Sequence, residues 1–438
     1  MILRRLQYEA AGRVAAPFLA ALDGWRRRVR PARTPARDSP FGPPLESTRK
    51  LKELITAHYL QGRYADGAVP VAWVTSGFPV EVLRPLGFHV VYPENHAALC
   101  GARRAVPELS DAAEARGYSR DLCSYARTDI GSALTGRTPV GRLPRPDLLA
   151  CCTNICQTVL YWYRALARHF GVPLVLVDTP YVYGEAEPHH VRYVRAQLEE
   201  LLEVAQRIAG RAADAAALGE LTRRSREASL LWGECLAASR SRPAPWTGFD
   251  GFFHMAPIVA LRGTEECNAY YRMLRDELQD RVRRGIGGVR EERHRLLWDN
   301  LPIWFAVREL STLLARHGFN FVCTSYTNAW AEAGSRVDPA DPLGSAAAAY
   351  THVILNQDLP NRLSILRRLA RDYAADGAVL HSDRSCKPYS IGQIDLKDRL
   401  ARELGIRVLL LEADHSDPRA YAAEQADNRI AAFMEGFA

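Results

Sequence analysis

The chain has 438 residues, 47% of them hydrophobic, and carries 57 Lys and Arg against 50 Asp and Glu, a formal net charge of +7. That is longer than one ordinary domain and apolar enough for two or three buried cores, while the charge excess is too mild and scattered to argue for nucleic acid. The apolar runs VPLVLVDTPYVY and IRVLLLEA are too short and too interrupted to cross a bilayer.

Nine cysteines in a chain of this size form no dense secreted framework, and no cleavable signal with a clean apolar core begins it, so a reducing cytoplasm is expected. Residues 1 to about 30 read as an amphipathic helix, because Leu6, Ala10, Val14, Phe18 and Leu22 recur at helical spacing. The stretch RPARTPARDSPFGPP then breaks any helix, which makes residues 1–58 an N-terminal helical arm with a Pro-rich linker. The arginines of the arm give it a faint likeness to a mitochondrial transit peptide, against which Glu9 and Asp23 count.

From residue 59 to 190 the pattern is strand, turn, helix, strand: PVAWVTSGF, PVEVLRPLG and FHVVYPE, then DLLACCTN, ICQTVLYWYRALARHFG and VPLVLVDTP. Residues 191–298 change to polar-faced helices such as VRYVRAQLEELLEVAQRIAG and NAYYRMLRDELQDRVRRG. The alternation returns over 299–438 with HGFNFVCTSYT, DGAVLHSDRSC, IGQIDLKDRLAREL and GIRVLLLEADHS. The expected fold class is therefore α/β, with two Rossmann-like parallel-sheet domains flanking a helical region.

Ligands of open α/β sheets gather outside the carboxyl ends of strands. Cys156 follows the strand DLLACCTN and opens a helix, Cys386 follows DGAVLHSD and precedes another, and Cys123 lies in DLCSYAR between the first two strand pairs. Thiolates at such places gain from helix dipoles and free amides. The long separations match no compact ferredoxin or zinc pattern, so position alone leaves each between metal ligand and structural thiol. Cys100, Cys235, Cys267 and Cys323 sit among apolar neighbours and read as structural. Asp178 and Thr179 end a strand and fit either a crevice or a turn. The sequence has no GxxxxGK[ST] loop for a triphosphate and no GxGxxG opening the first unit, so any electron it handles is expected from another protein.

The segments VTSGFPVEVL with VYPENHAA, LPRPDLLACCTNICQTVLYWYRALARHFGVPLVLVDTPY, FFHMAPIVALRGTEE with YYRMLRDEL, LLWDNLPIW, FVCTSYTNAW, HSDRSCKP and LEADHSDPRAY follow one another in order. In them the chain resembles the 2-hydroxyacyl-CoA dehydratase and benzoyl-CoA reductase family over nearly everything after the linker. The resemblance implies a [4Fe-4S] cluster held by Cys123, Cys156 and Cys386, with Cys152 as the alternative middle ligand. The six cysteines 100, 123, 151, 152, 156 and 386 would also suffice in number for a double-cubane variant. It further implies that Ser76 hydrogen-bonds a thioester carbonyl and Glu94 moves a proton, roles that compete with a turn serine and a helix-capping carboxylate. His381 is close enough in sequence to Cys386 to tune the cluster from behind.

Partners implied by the likeness are an acyl-CoA substrate, a homologous catalytic subunit and a separate ATP-hydrolysing iron-sulfur activator. The segments LACCTNICQTVLYWY and MAPIVALRGTEE look more like benzoyl-CoA reductase subunits, so dearomatising ring reduction of an aromatic acyl-CoA is the expected reaction. Dehydration of an (R)-2-hydroxyacyl-CoA through a ketyl radical is the alternative, and a non-catalytic electron-relay subunit is a third reading.

Overall fold

The protein is described from a computed structural model that covers residues 2–15, 17–18 and 39–437. The arm begins as helix α1, Ile2–Ala10, continued by a π-helical turn at Ala11–Ala15. The expected continuation through Leu22 to residue 30, and most of the proline-rich stretch, lie outside the described residues. Helix α2, Ser47–Gly62, leads into the first sheet.

That sheet holds β1 Val71–Val74, β2 His89–Val91, β3 Leu148–Cys152 and β4 Leu174–Val177, in the order β2-β1-β3-β4. The second holds β5 His294–Asp299, β6 Phe319–Thr324, β7 Gly377–Asp383 and β8 Arg407–Ala413, in the order β6-β5-β7-β8. All pairings are parallel. Parallel strands need crossover connections, so helices cover both faces and inner strands are buried on both sides. β3, LLACC, is buried at every residue, and its alternate side chains feed two separate cores: Leu148, Ala150 and Cys152 one, Leu149 and Cys151 the other.

The two sheets share one wiring. In each, the first strand is central, the second lies to one side, and the third and fourth lie to the other, which sets a topological switch point between β1 and β3 and again between β5 and β7. Crevices open outside the carboxyl ends of strands at such points. Both halves are thereby primed to present loops there.

Between β4 and β5 in the chain come the long helices Pro188–Ala209, Ala215–Ala237 and Glu265–Arg283. Asp214 caps the second through Ala216 N–H at 3.1 Å, and Thr264 caps the third through Cys267 N–H at 3.3 Å. The pattern of residues 191–298 reads as helical, but the end of that stretch is β5. Its sequence HRLLWD hides strand character behind Arg295, which is buried and donates to the carbonyls of Tyr373 and Ser241, each at 3.0 Å, and to Glu292 at 2.6 Å. Among the described residues no helix is long and apolar enough to cross a membrane.

Candidate metal and substrate site

All nine cysteines are free, and six of them are buried. The three that keep some exposure are Cys123, Cys156 and Cys386, and all three line one cavity of about 200 Å3. Cys156 follows β3 and Cys386 follows β7, the third strand of each sheet, so they occupy equivalent ends beside the two switch points. Cys123 arrives from the crossover between β2 and β3, at the N-cap of helix Ser124–Thr135.

Local hydrogen bonds bring these segments together. Ser124, next to Cys123, donates its N–H to Ser385 Oγ at 3.2 Å, and Ser385, next to Cys386, donates Oγ–H to Asp414 at 2.6 Å. Thr75, after β1, accepts Cys152 N–H on Oγ1 at 3.2 Å and ties the loop of Ser76 to the end of β3. Burial, reinforced by Cys123, pushes the Cys156 thiol up to about 11, against the Val159 and Thr158 amides at the start of its helix. Burial, then Asp383 and the other two cysteines, push Cys386 well above the ordinary thiol range. Without a cation these two thiols hold their protons. A bound metal would displace them, as thiolate ligation requires.

The donor set fits the expected cluster. Three soft sulfur ligands converge from three loops, two of them at the starts of full-length helices, and the space they face is a cavity rather than packed protein. The remaining cysteines of a larger, double-cubane assembly do not join them. Cys151 and Cys152 are strand residues facing the two cores, and Cys100 packs against Val106 and Leu109. Alternation along β3 turns Cys151 and Cys152 into the two cores, while Cys156 lies beyond the strand in the loop that lines the cavity.

Ser76 and Glu94 line the same cavity. Ser76 stands in the turn after β1, where Gly77 takes φ +79°, a backbone shape that favours glycine, and the Gly77 carbonyl accepts the Tyr350 hydroxyl. Ser76 donates Oγ–H to Asn95 Oδ1 at 3.1 Å. Glu94 sits in the first turn of helix Pro93–Ala102, after β2. Both its carboxyl oxygens are buried without a hydrogen-bond partner of ordinary geometry. Burial pushes this carboxyl up to about 8 against neighbouring backbone amides, so it is largely protonated at neutral pH.

His381 is buried, does not line the cavity, and pairs through Nδ1 with the carbonyl of Leu301, which does, at 2.7 Å. Asp178 accepts hydroxyls from Thr153 and Tyr193, and Thr179 N–H donates to Thr153, so both serve a turn. The imidazole that does reach a cysteine is His415, which sequence reasoning passed over inside LEADHSDPRAY. Its Nδ1 is 2.6 Å from Asp383, and its Nε2 is 2.9 Å from Ser124 Oγ and 3.9 Å from Cys123 Sγ. Tyr125 packs edge-on against the ring at 4.1 Å. Burial disfavours charge on His415, yet Asp383 and Asp414 outweigh it and hold the imidazolium well above its usual pKa, keeping it protonated.

Asp383, Asp414 and His415 could in number hold a cation. Each is already engaged by protein: Asp414 accepts from Ser385, Ser416 N–H and Asp417 N–H, and Asp383 pairs with His415 and accepts Ser385 N–H. They form an internal ion triad behind Cys123.

Residues 75–437 match the family model described as 2-hydroxyglutaryl-CoA dehydratase, D-component. The chain is 33% identical to the (R)-phenyllactyl-CoA dehydratase alpha subunit of Clostridium sporogenes, over 89% of this chain and 97% of that one. It is 34% identical to the (R)-2-hydroxyisocaproyl-CoA dehydratase alpha subunit of Clostridioides difficile, over 84% and 90%. A benzoyl-CoA reductase subunit of Thauera aromatica is 30% identical over 88% of this chain and 93% of its own length.

Proposed function

The chain belongs to the 2-hydroxyglutaryl-CoA dehydratase D-component family, and from that premise we propose that it is the substrate-binding, cluster-bearing subunit of an (R)-2-hydroxyacyl-CoA dehydratase. The observation that carries this reading is the single cavity that gathers Ser76, Glu94 and the three partly exposed cysteines. A pure electron-relay subunit has no use for a hydroxyl donor and a protonated carboxyl at its cluster.

A [4Fe-4S] cluster on Cys123, Cys156 and Cys386 would supply one-electron chemistry and an iron position free of protein ligand. The rest falls to this chain. Ser76 turns its hydroxyl from Asn95 to the thioester carbonyl oxygen, where negative charge grows. Glu94 gives its proton to the departing hydroxyl on C2, which leaves as water, and the carboxylate so formed takes a proton from C3, which completes the elimination and restores the acid. The apolar walls keep bulk water from the reacting atoms.

Relatives named as dehydratase alpha subunits, at 33% and 34% identity, weigh more than the 30% identical reductase subunit, so dehydration replaces ring reduction as the favoured reaction. Reduction of an aromatic acyl-CoA is the second reading. A homologous subunit, an ATP-hydrolysing activator and a reducing cytoplasm complete the proposal, and the free state of all nine cysteines suits that compartment.

Electron counting separates the two reactions. Elimination of water is redox-neutral, so the anaerobically assembled complex should form many enoyl-CoA products per electron supplied. Consumption of two electrons per product, with a cyclic diene formed, would establish the reductase instead.

A further inference from the structure

The cavity's walls are uneven in chemistry. Beyond Glu94 and His415, its charged side chains are Glu81 and Arg262. These two are paired to each other at 3.0 Å, and Arg262 also donates to the Phe78 carbonyl at 2.6 Å and lies over the Trp330 ring at 5.9 Å. The pair is buried and electrically balanced. The rest of the wall comes mainly from helices Ser325–Ser335 and Pro342–Thr351, which contribute Trp330, Ala333, Ala346 and Ala349, with Val337 and Ile354 beside them. These three alanines beside a large indole make this wall apolar and leave it short of side-chain bulk. At about 200 Å3 the space is smaller than the ~300–1,000 Å3 of pockets that hold a whole drug-sized ligand. With a cluster on the cysteine side it leaves room for no more than the acyl end of a thioester, with the carrier portion outside.

We propose that this cavity selects 2-hydroxyacyl thioesters with apolar acyl chains, aryl or branched alkyl, and rejects those that carry a second carboxylate. The inference rests on the dehydratase reading and adds the substrate class. The His415 ring is already engaged on both nitrogens, by Asp383 and by Ser124, so a guest carboxylate finds no free cation among the described residues of this wall and has two unfavourable places to go. It can sit unpaired among alanine, valine and tryptophan, which costs its hydration. Otherwise it displaces Glu81 from Arg262 and leaves that carboxylate buried alone, which is equally unfavourable. A phenyl or isobutyl chain meets neither obstacle and gains by leaving water.

The test uses the anaerobically assembled complex of this chain with its partner subunit and activator, given phenyllactyl-CoA, 2-hydroxyisocaproyl-CoA and 2-hydroxyglutaryl-CoA. Equilibrium binding of each thioester is measured beside kcat/KM. The expected result is a preference of about 100-fold or more for the two apolar substrates. In Ala333→Leu the bulky chains should lose about tenfold in kcat/KM while lactoyl-CoA, with only a methyl, loses less. Equal or better binding of 2-hydroxyglutaryl-CoA overturns the selectivity but leaves the dehydratase reading standing. Failure to bind any of the thioesters overturns both.

Discussion

Glu94 is the residue whose chemistry depends most on where the fold puts it. Burial lifts its carboxyl to about 8, so the folded chain keeps this proton to higher pH than the unfolded chain, where the group titrates near 4.5. Between those values the native state binds more protons, and stability falls as pH rises; below about 4.5 the contribution is present in full. Glu94→Gln removes this dependence. Its unfolding free energy should therefore gain on the parent from pH 5 to pH 8, reaching roughly 2 kcal/mol or more at pH 8, while turnover drops by about 100-fold. Urea unfolding at the two pH values checks the first part, and parallel pH slopes would show that Glu94 is not held protonated. The position of Glu94 was legible only through the likeness of YPENH to a family segment, because a glutamate in a first helical turn is otherwise a dipole partner. His415 was not legible at all. It reaches Cys123 because β8 pairs with β7 in a register that sets Ala413 beside Asp383, and registry between strands far apart in sequence is a tertiary fact. His381, the histidine nearer Cys386 in sequence, is turned toward Leu301 by the same strand.

Among the elements, helix Ser124–Thr135 does the most to assemble the site, since it carries Cys123 at its start and must be fixed against the second half of the molecule. Arg127 on its buried face does this, donating to Glu114 at 2.7 Å and to Asp417 at 3.0 Å, with Arg419 closing the network on Asp417 and Glu114 at 2.7 Å each. The Arg127 side chain is 3% exposed and that of Asp417 3%, so removing the guanidinium strips a buried charge-assisted bond from Asp417 and leaves Arg419 as its remaining cationic partner. Arg127→Met should lower the unfolding free energy by about 2 kcal/mol and reduce the iron retained after anaerobic gel filtration. A variant as stable and as iron-rich as the parent would show that this network does not hold the helix. Most strands and helices were readable from alternation and helical spacing. β5 was not, because a buried arginine near the start of HRLLWD imitates an exposed, helix-flanking stretch until its carbonyl partners are in place.

At the scale of the whole molecule, two sheets with the same wiring each deliver a cysteine from the loop after the third strand, and the crossover of the first sheet delivers one more. The α/β class and its two parallel sheets were legible, since βα alternation dictates them. Their convergence on one cavity was not, for spacing along the chain carries no information about which strand ends meet. The cavity also separates the three partly exposed thiols from six that serve as core. The proposed chemistry requires those three to hold one cluster, and iron and acid-labile sulfide in anaerobically purified protein test this most directly. The parent, Cys151→Ser and Cys152→Ser should each hold about four irons per chain, and Cys123→Ser, Cys156→Ser and Cys386→Ser should each lose most of the iron and bleach the visible absorbance. Full iron in any of the last three, or its loss in Cys152→Ser with retention in Cys156→Ser, would contradict the assignment.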